Sequence, residues 1–141
     1  MLRPGGVTRE DIETVLGRPL AAPSAHPVRV PGQHPSHYAP RARVVLVEPE
    51  KVVVEAELAQ QLRHRVGVFL PPGAAAAAVK THATVTVPGS PAAYARGLYG
   101  FLRELDQAGC DLIIASLPAE QGLGTAIANR LRRAAGPRPG E

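Results

Sequence analysis

The sequence offers little from which to build an aromatic core: no tryptophan, two phenylalanines and three tyrosines in 141 residues. Its interior must therefore be aliphatic, made of Val, Leu, Ile and Ala. A single cysteine, Cys110, excludes an internal disulfide and a cysteine metal cluster. Lying just before an apolar run, it reads as a small buried thiol. No stretch approaches the roughly twenty apolar residues of a membrane span. Met1-Leu2-Arg3-Pro4 does not open a signal peptide. A soluble, cytoplasmic protein without a membrane partner is the expectation.

Charge is modest as well, with 16 basic against 12 acidic residues and a net charge of +4. All of the basic residues except Lys51 and Lys80 are arginine. That excess permits contact with RNA or a nucleotide without demanding it. Apart from Arg63-His64-Arg65 and the group Arg130, Arg132 and Arg133, the basic residues are scattered. No aromatic residues interleave with them, so they read as solvated helix faces.

Proline and glycine are plentiful, at 15 and 14 residues, and they cluster. Residues 21–42 hold Pro23, Pro27, Pro31, Pro35 and Pro40. Proline fixes its own backbone and pushes the preceding residue out of the helical region, so this segment reads as an extended linker. His26, His34 and His37 lie on it without a cysteine or a carboxylate partner, and no metal site is expected there.

Before the linker, residues 1–20 predict one short helix. Thr8 is its N-cap, Asp11 suits its positive end and Gly17 closes it. Its apolar face is only Ile12, Val15 and Leu16, too small to be stable alone, so it should dock onto something.

After the linker, elements alternate. Residues 43–47 read as a strand buried on both faces. A helix follows at about 54–64, then a strand at 66–70 stopped by Pro71 and Pro72. The alanine run 74–78 reads as a short helix or a low-complexity insert, and 83–87 as a third strand. Ser90 and Pro91 then open a long helix whose Tyr94, Leu98, Phe101, Leu102, Leu105 and Ala108 share one face. Gly109 ends it, 112–115 form a fourth strand, and a last helix runs from about 122 to 135 with Leu123, Ile127, Leu131 and Ala134 inward. The order predicts an open α/β fold: a mostly parallel sheet of about four or five strands with helices on both faces.

Chemistry is harder to find. Gln121-Gly122-Leu123-Gly124 opens a helix after a strand, where amides can cradle an anion, but it lacks the third glycine of a dinucleotide fingerprint. Ordinary helix-start geometry is the simpler account. A receiver-type signalling domain shares this element order, yet the third strand ends Val87-Pro88-Gly89 with no carboxylate to accept phosphate. No nucleophile and base stand together within 43–136, and no catalytic residue is assigned.

Two segments are more specific. Leu2-Arg3-Pro4-Gly5-Gly6-Val7-Thr8 and the run VPGQHPSHYAPRA resemble the two-domain threonylcarbamoyl-AMP synthases. There, an LRPG-type segment closes a YrdC-like catalytic domain and a linker leads into a small Rossmann-like C-terminal domain. The stretches ARGLYGFLRELDQAGCDLIIA and GLGTAIANRLRRAAG resemble the end of that domain. Val30 and Pro35 depart from the family's usual Ser and Tyr in the linker.

The resemblance implies a layout: 1–20 as the end of the catalytic domain, 21–42 as linker, 43–136 as the Rossmann-like domain and 137–141 as a tail. It implies that Arg3, His37 and Tyr38 belong to the nucleotide site, Arg3 at the phosphates and the other two in the linker across the pocket. ATP, with magnesium, and threonine would be ligands of the full-length enzyme, reached through a catalytic domain in the same or a separate chain, with the tRNA modification machinery an indirect partner. These 141 residues would hold no cofactor of their own and would be inactive alone. The other expectation is a free-standing α/β module binding a nucleotide or RNA without catalysis.

Overall fold

The computed structural model describes residues 5–20, 40–74 and 81–136. Among them are four strands: β1 (Arg43–Val47), β2 (Val66–Leu70), β3 (Ala83–Thr86) and β4 (Leu112–Ser116). The α-helices are α1 (Arg9–Leu16), α2 (Val52–Gln61), α3 (Pro91–Gln107) and α4 (Leu123–Ala134), with a 3-10 turn at Pro49–Lys51 leading into α2. The strands form one sheet in the order β1-β4-β2-β3, and every pairing is parallel.

Alternation along the strands divides the core in two. Val66, Val68 and Leu70 of β2 and Ile114 of β4 pack with Val52, Ala56 and Ala59 of α2. Phe69, Ile113 and Ala115 point the other way, onto Leu98, Leu102 and Leu105 of α3 and Ile127 and Leu131 of α4. Period-2 strands meet period-3.6 helices on both faces, as the alternating pattern predicts. Neighbouring β1 and β4 send the chain to opposite faces, into α2 from β1 and into α4 from β4. In a parallel sheet a crevice opens where the chain parts in this way.

Local signals account for the helix ends. Thr8 caps α1 in a reciprocal box with Asp11, and Gly17 ends it at φ 64°. The Ser90 hydroxyl accepts from the Ala93 N–H at the start of α3, with Pro91 in its first turn. At its far end Cys110 N–H donates to the Leu105 carbonyl and Gly109 N–H to that of Asp106, a Schellman closure with Gly109 at φ 83°.

Several expectations need correcting. β1 is an edge strand: Val44 is buried, but Arg43 is exposed and Val45–Val47 are half-buried. An edge strand has one strand neighbour and less cover, so an apolar run alone does not place it at the centre. α2 begins at Val52 rather than about 54 and ends at Gln61. Arg63 follows it with φ 65°, closing the helix in the role glycine plays after α3. Ala108 is exposed and Leu123 only half-buried. Helix α1 buries none of its residues; Val15 stays 86% exposed and Leu16 48%. Ile12 is half-buried, and just before the helix Gly5, Gly6 and Thr8 lie against α3 and α4. Of the alanine run, 75–78 lie outside the described residues.

Two aspartates tie the loops at the amino ends of the strands. Asp106 accepts from the N–H groups of Arg41 (2.9 Å) and Ala42 (3.0 Å), fixing the entry to β1 against the end of α3. Asp111 accepts from the Arg65 N–H at 3.1 Å and faces His64 Nδ1 at 3.1 Å. Burial opposes its ionisation, but the hydrogen bonds from Arg65 and His64, with their charges, outweigh that and hold the carboxyl below its ordinary value. A depressed carboxylate pKa contributes stability above the unfolded value, near 4, and loses it as pH falls through the folded value. Asp111→Asn is therefore expected to be less stable than the parent at pH 7, with the gap closing below about pH 3. Urea midpoints at pH 7, 4 and 2.5 check this; a constant gap would assign the effect to something other than charge.

Candidate functional site: a proline-rimmed pocket at the carboxyl ends of the strands

Every strand of the sheet runs into proline within three residues of its last one: Pro49 after β1, Pro71 and Pro72 after β2, Pro88 after β3 and Pro118 after β4. Proline cannot extend a ladder, having no N–H to donate, so the strands stop together along one edge. These prolines, joined by Pro91 of α3, surround a pocket of about 470 Å3. That lies within the range of small-molecule sites, about 300–1,000 Å3.

Among the described residues the lining contains no charged side chain. Ser116 and Gln121 supply its side-chain hydrogen-bonding groups, Tyr94 lines it with its hydroxyl covered, and Val87, Leu117 and Ile127 add to its apolar surface. Tyr94 is 5% exposed, held by its place on the inward face of α3 and by the edge of Phe69, with ring centroids 6.4 Å apart and planes at 71°. Its hydroxyl is buried and has no hydrogen-bond partner among the described residues. An unpaired buried hydroxyl costs about 1–3 kcal/mol, so this atom is an exception: among the described residues the core buries no polar or charged residue. Burial pushes the Tyr94 phenol far above its ordinary range, which leaves it a neutral group able to donate and accept.

The Gln121–Gly124 turn borders the same pocket, and its geometry follows the simpler of its two sequence accounts. Gly124 N–H donates to the Gln121 carbonyl at 2.9 Å and Thr125 N–H to that of Gly122 at 3.3 Å, so two first-turn amides are already used. Gly122 sits at φ 55°, ψ −127°, a region open to glycine. A Cβ on Gly124 would stand 1.9 Å from the Ala119 carbonyl oxygen. Gly122 thus serves a backbone conformation and Gly124 a close backbone approach. At α3 the first helical residue is a proline and the Ala93 N–H is taken by Ser90. A rim of prolines and committed amides is poor material for a phosphate cradle.

Arg3, His37 and Tyr38, the residues that the resemblance assigns to a nucleotide site, lie outside the described residues, as do His26 and His34. Nearest in sequence to Arg3, Gly5 and Gly6 line a second hollow of about 280 Å3 with Ala92, Ala95, Arg96 and Arg130. Cys110 is buried, with its Sγ 3.0 Å from where a Gly67 Cβ would be, and burial followed by the charges of Asp111 and Asp106 raises its thiol. It is packing, as expected. Sequence reasoning placed Tyr94 in the core and overlooked the pocket; the available signal was a proline within three residues of all four strand ends.

Fold and site together define a small, open, parallel α/β domain with a ligand-sized pocket at the carboxyl edge of its sheet. A family model described as the C-terminal domain of threonylcarbamoyl-AMP synthase matches residues 7–136, and the chain belongs to that family. It is 34% identical to the threonylcarbamoyl-AMP synthase of Pyrococcus abyssi and 38% identical to that of Bacillus subtilis. These alignments cover 96% and 98% of this chain but 42% of each relative, so the chain spans less than half their length. Among solved structures it resembles P. abyssi Sua5 complexed with L-threonine, with a TM-score of 0.78 and 32% identity over 95% of this chain and 41% of that one. The isolated C-terminal Sua5 domain of Pyrococcus horikoshii aligns with 65% of this chain and 91% of its own, at a TM-score of 0.53 and 30% identity.

Proposed function

We propose that this chain is the accessory C-terminal part of a threonylcarbamoyl-AMP synthase, serving a catalytic domain that combines threonine, bicarbonate and ATP and releases pyrophosphate. The observation that carries this reading is the family match across 7–136 to a domain named for its C-terminal position. In this reading residues 1–20 close the catalytic domain and 21–42 cross its pocket. Arg3 meets the phosphates of ATP, and His37 and Tyr38 help exclude water from a labile product. The work would take place in the cytoplasm, where the product feeds tRNA modification.

The exposed side of α1 supports the partner. Val7, Val15 and Leu16 are 62%, 86% and 48% exposed around one short helix. Apolar side chains gathered on a helix that cannot stand alone suit a surface covered by another domain. The chemistry is then expected to be divided. The purified chain should release no pyrophosphate from ATP, threonine and bicarbonate above the enzyme-free background. Joined to the catalytic portion of the B. subtilis relative in place of that protein's own C-terminal part, it should raise turnover above the catalytic portion alone. Turnover by the chain alone would sink the assignment, and a fusion no better than the bare catalytic portion would remove the accessory role.

A further inference from the structure

The pocket at the strand ends is not accounted for by a role as a catalytic domain's accessory. Its construction is specific enough to name a ligand class. We propose that it is a binding site for an uncharged, flat heteroaromatic molecule of nucleoside size, whose polar edge meets the Tyr94 hydroxyl.

Three observations converge on that class. The first is the absence of charge: none of the lining side chains is ionisable in the usual range, so a phosphate or carboxylate would enter without a counter-ion. The second is shape. About 470 Å3 accommodates a nucleoside, and the rigid rings of Pro71, Pro72, Pro88 and Pro118 offer apolar surface to an aromatic plane. The third is Tyr94 itself. Its side chain is 95% covered by protein, yet its hydroxyl has no partner among the described residues. That oxygen has no exposed surface, so a ligand meets it by displacing part of its cover. A donor or acceptor brought there would remove the penalty of an orphan group, so the site discriminates in favour of molecules with a polar edge. Ser116 and Gln121 stand in the same lining with a hydroxyl and a carboxamide, the groups that read donors and acceptors on a heterocycle.

The position agrees with the chemistry. Ligands of open α/β sheets bind outside the carboxyl ends of the strands, where neighbouring connections diverge to opposite faces. Here β1 and β4 diverge in that way, and the turns after both strands line the pocket. Binding needs nothing from the catalytic domain, so the proposal stands or falls separately from the accessory role.

The purified 141-residue chain would be titrated by calorimetry and by 1H–15N spectra with adenosine, guanosine, cytidine and uridine, with ATP as the charged comparison. At least one nucleoside should bind saturably with Kd below about 1 mM, and ATP should bind more weakly than adenosine. Tyr94→Phe should weaken that binding about 5- to 15-fold. The same change should leave the ligand-free thermal midpoint unchanged or higher, because it deletes an orphan hydroxyl. A second variant guards against a folding artefact. A Cβ at Gly89 meets nothing within 4 Å, so Gly89→Leu should fold normally and fill the pocket mouth, abolishing binding. Absence of binding by all four nucleosides would overturn the proposal. So would ATP binding more tightly than adenosine, or a Tyr94→Phe midpoint below the parent's, which would show that the hydroxyl already has a structural partner.

Discussion

Gly124→Ala is expected to cost about 3 kcal/mol or more of folding stability, the largest effect of alanine at any described glycine. The new Cβ would stand 1.9 Å from the Ala119 carbonyl oxygen and 3.1 Å from its carbon. The obstacle is backbone, so no rotamer change relieves it. The turn at Ala119–Gly122 must move, and with it the Gln121 N–H to Ala119 carbonyl bond of 2.9 Å. A domain of this size has only about 5–15 kcal/mol to lose. Urea unfolding at pH 7 checks the magnitude, with Gly100→Ala as the matched control. Gly100 lies within α3, and a Cβ there meets nothing within 4 Å. Alanine is the better helix former by about 1 kcal/mol, so the same chemical change should stabilise. A Gly124→Ala variant as stable as its parent would show that the turn yields freely. The glycine would then have to be explained through a ligand rather than through packing.

That contrast bears on how much of the molecule can be read before its structure is seen. The long helix α3 was legible because three local signals agree: Ser90 as cap, Pro91 in the first turn and apolar spacing through Leu105. The helix closure at Gly109 and the buried run Val66–Leu70 were legible for similar reasons. Where the outcome depends on non-local pairing, periodicity is silent. The run Arg43–Val47 is as apolar as β2, yet it ends on the sheet edge because β4, arriving some seventy residues later, inserts between them. Arg63 closes α2 in a conformation that its residue type does not advertise.

The pocket was the least legible feature. Its prolines are separated by the whole length of the domain, and each has a sufficient local explanation as a strand stop. Only the parallel order brings those stops to one edge. Tyr94 likewise satisfies the apolar pattern of α3, and nothing in the pattern distinguishes a core tyrosine with a partner from one without. The family, by contrast, was legible in the leader around Leu2–Thr8, in the linker run 30–42 and in two stretches near the end of the domain, where particular residues at particular spacings carry the resemblance.

Phe69→Ala is expected to be the most damaging truncation, costing about 3–5 kcal/mol. Phe69 is 1% exposed on β2, an inner strand of the sheet. Its ring meets Tyr94 edge-on at 6.4 Å and Phe101 at 6.3 Å with planes at 86°, so three of the chain's five aromatic residues form one cluster. Removing the middle ring loses its transfer energy, leaves a cavity and frees two neighbours at once. Each lost aromatic pair adds about 0.5–1.5 kcal/mol beyond area burial. The loss should appear as a lower urea midpoint at an unchanged slope, since the fold is retained. Phe69→Leu should recover much of that stability by refilling the cavity, but it removes the edge against which the Tyr94 ring rests. The two substitutions therefore separate holding the fold from holding the pocket floor. If Phe69→Leu keeps both its stability and nucleoside binding, Tyr94 is positioned by α3 alone. If it keeps stability and loses binding, the aromatic cluster couples the core of this domain to its site.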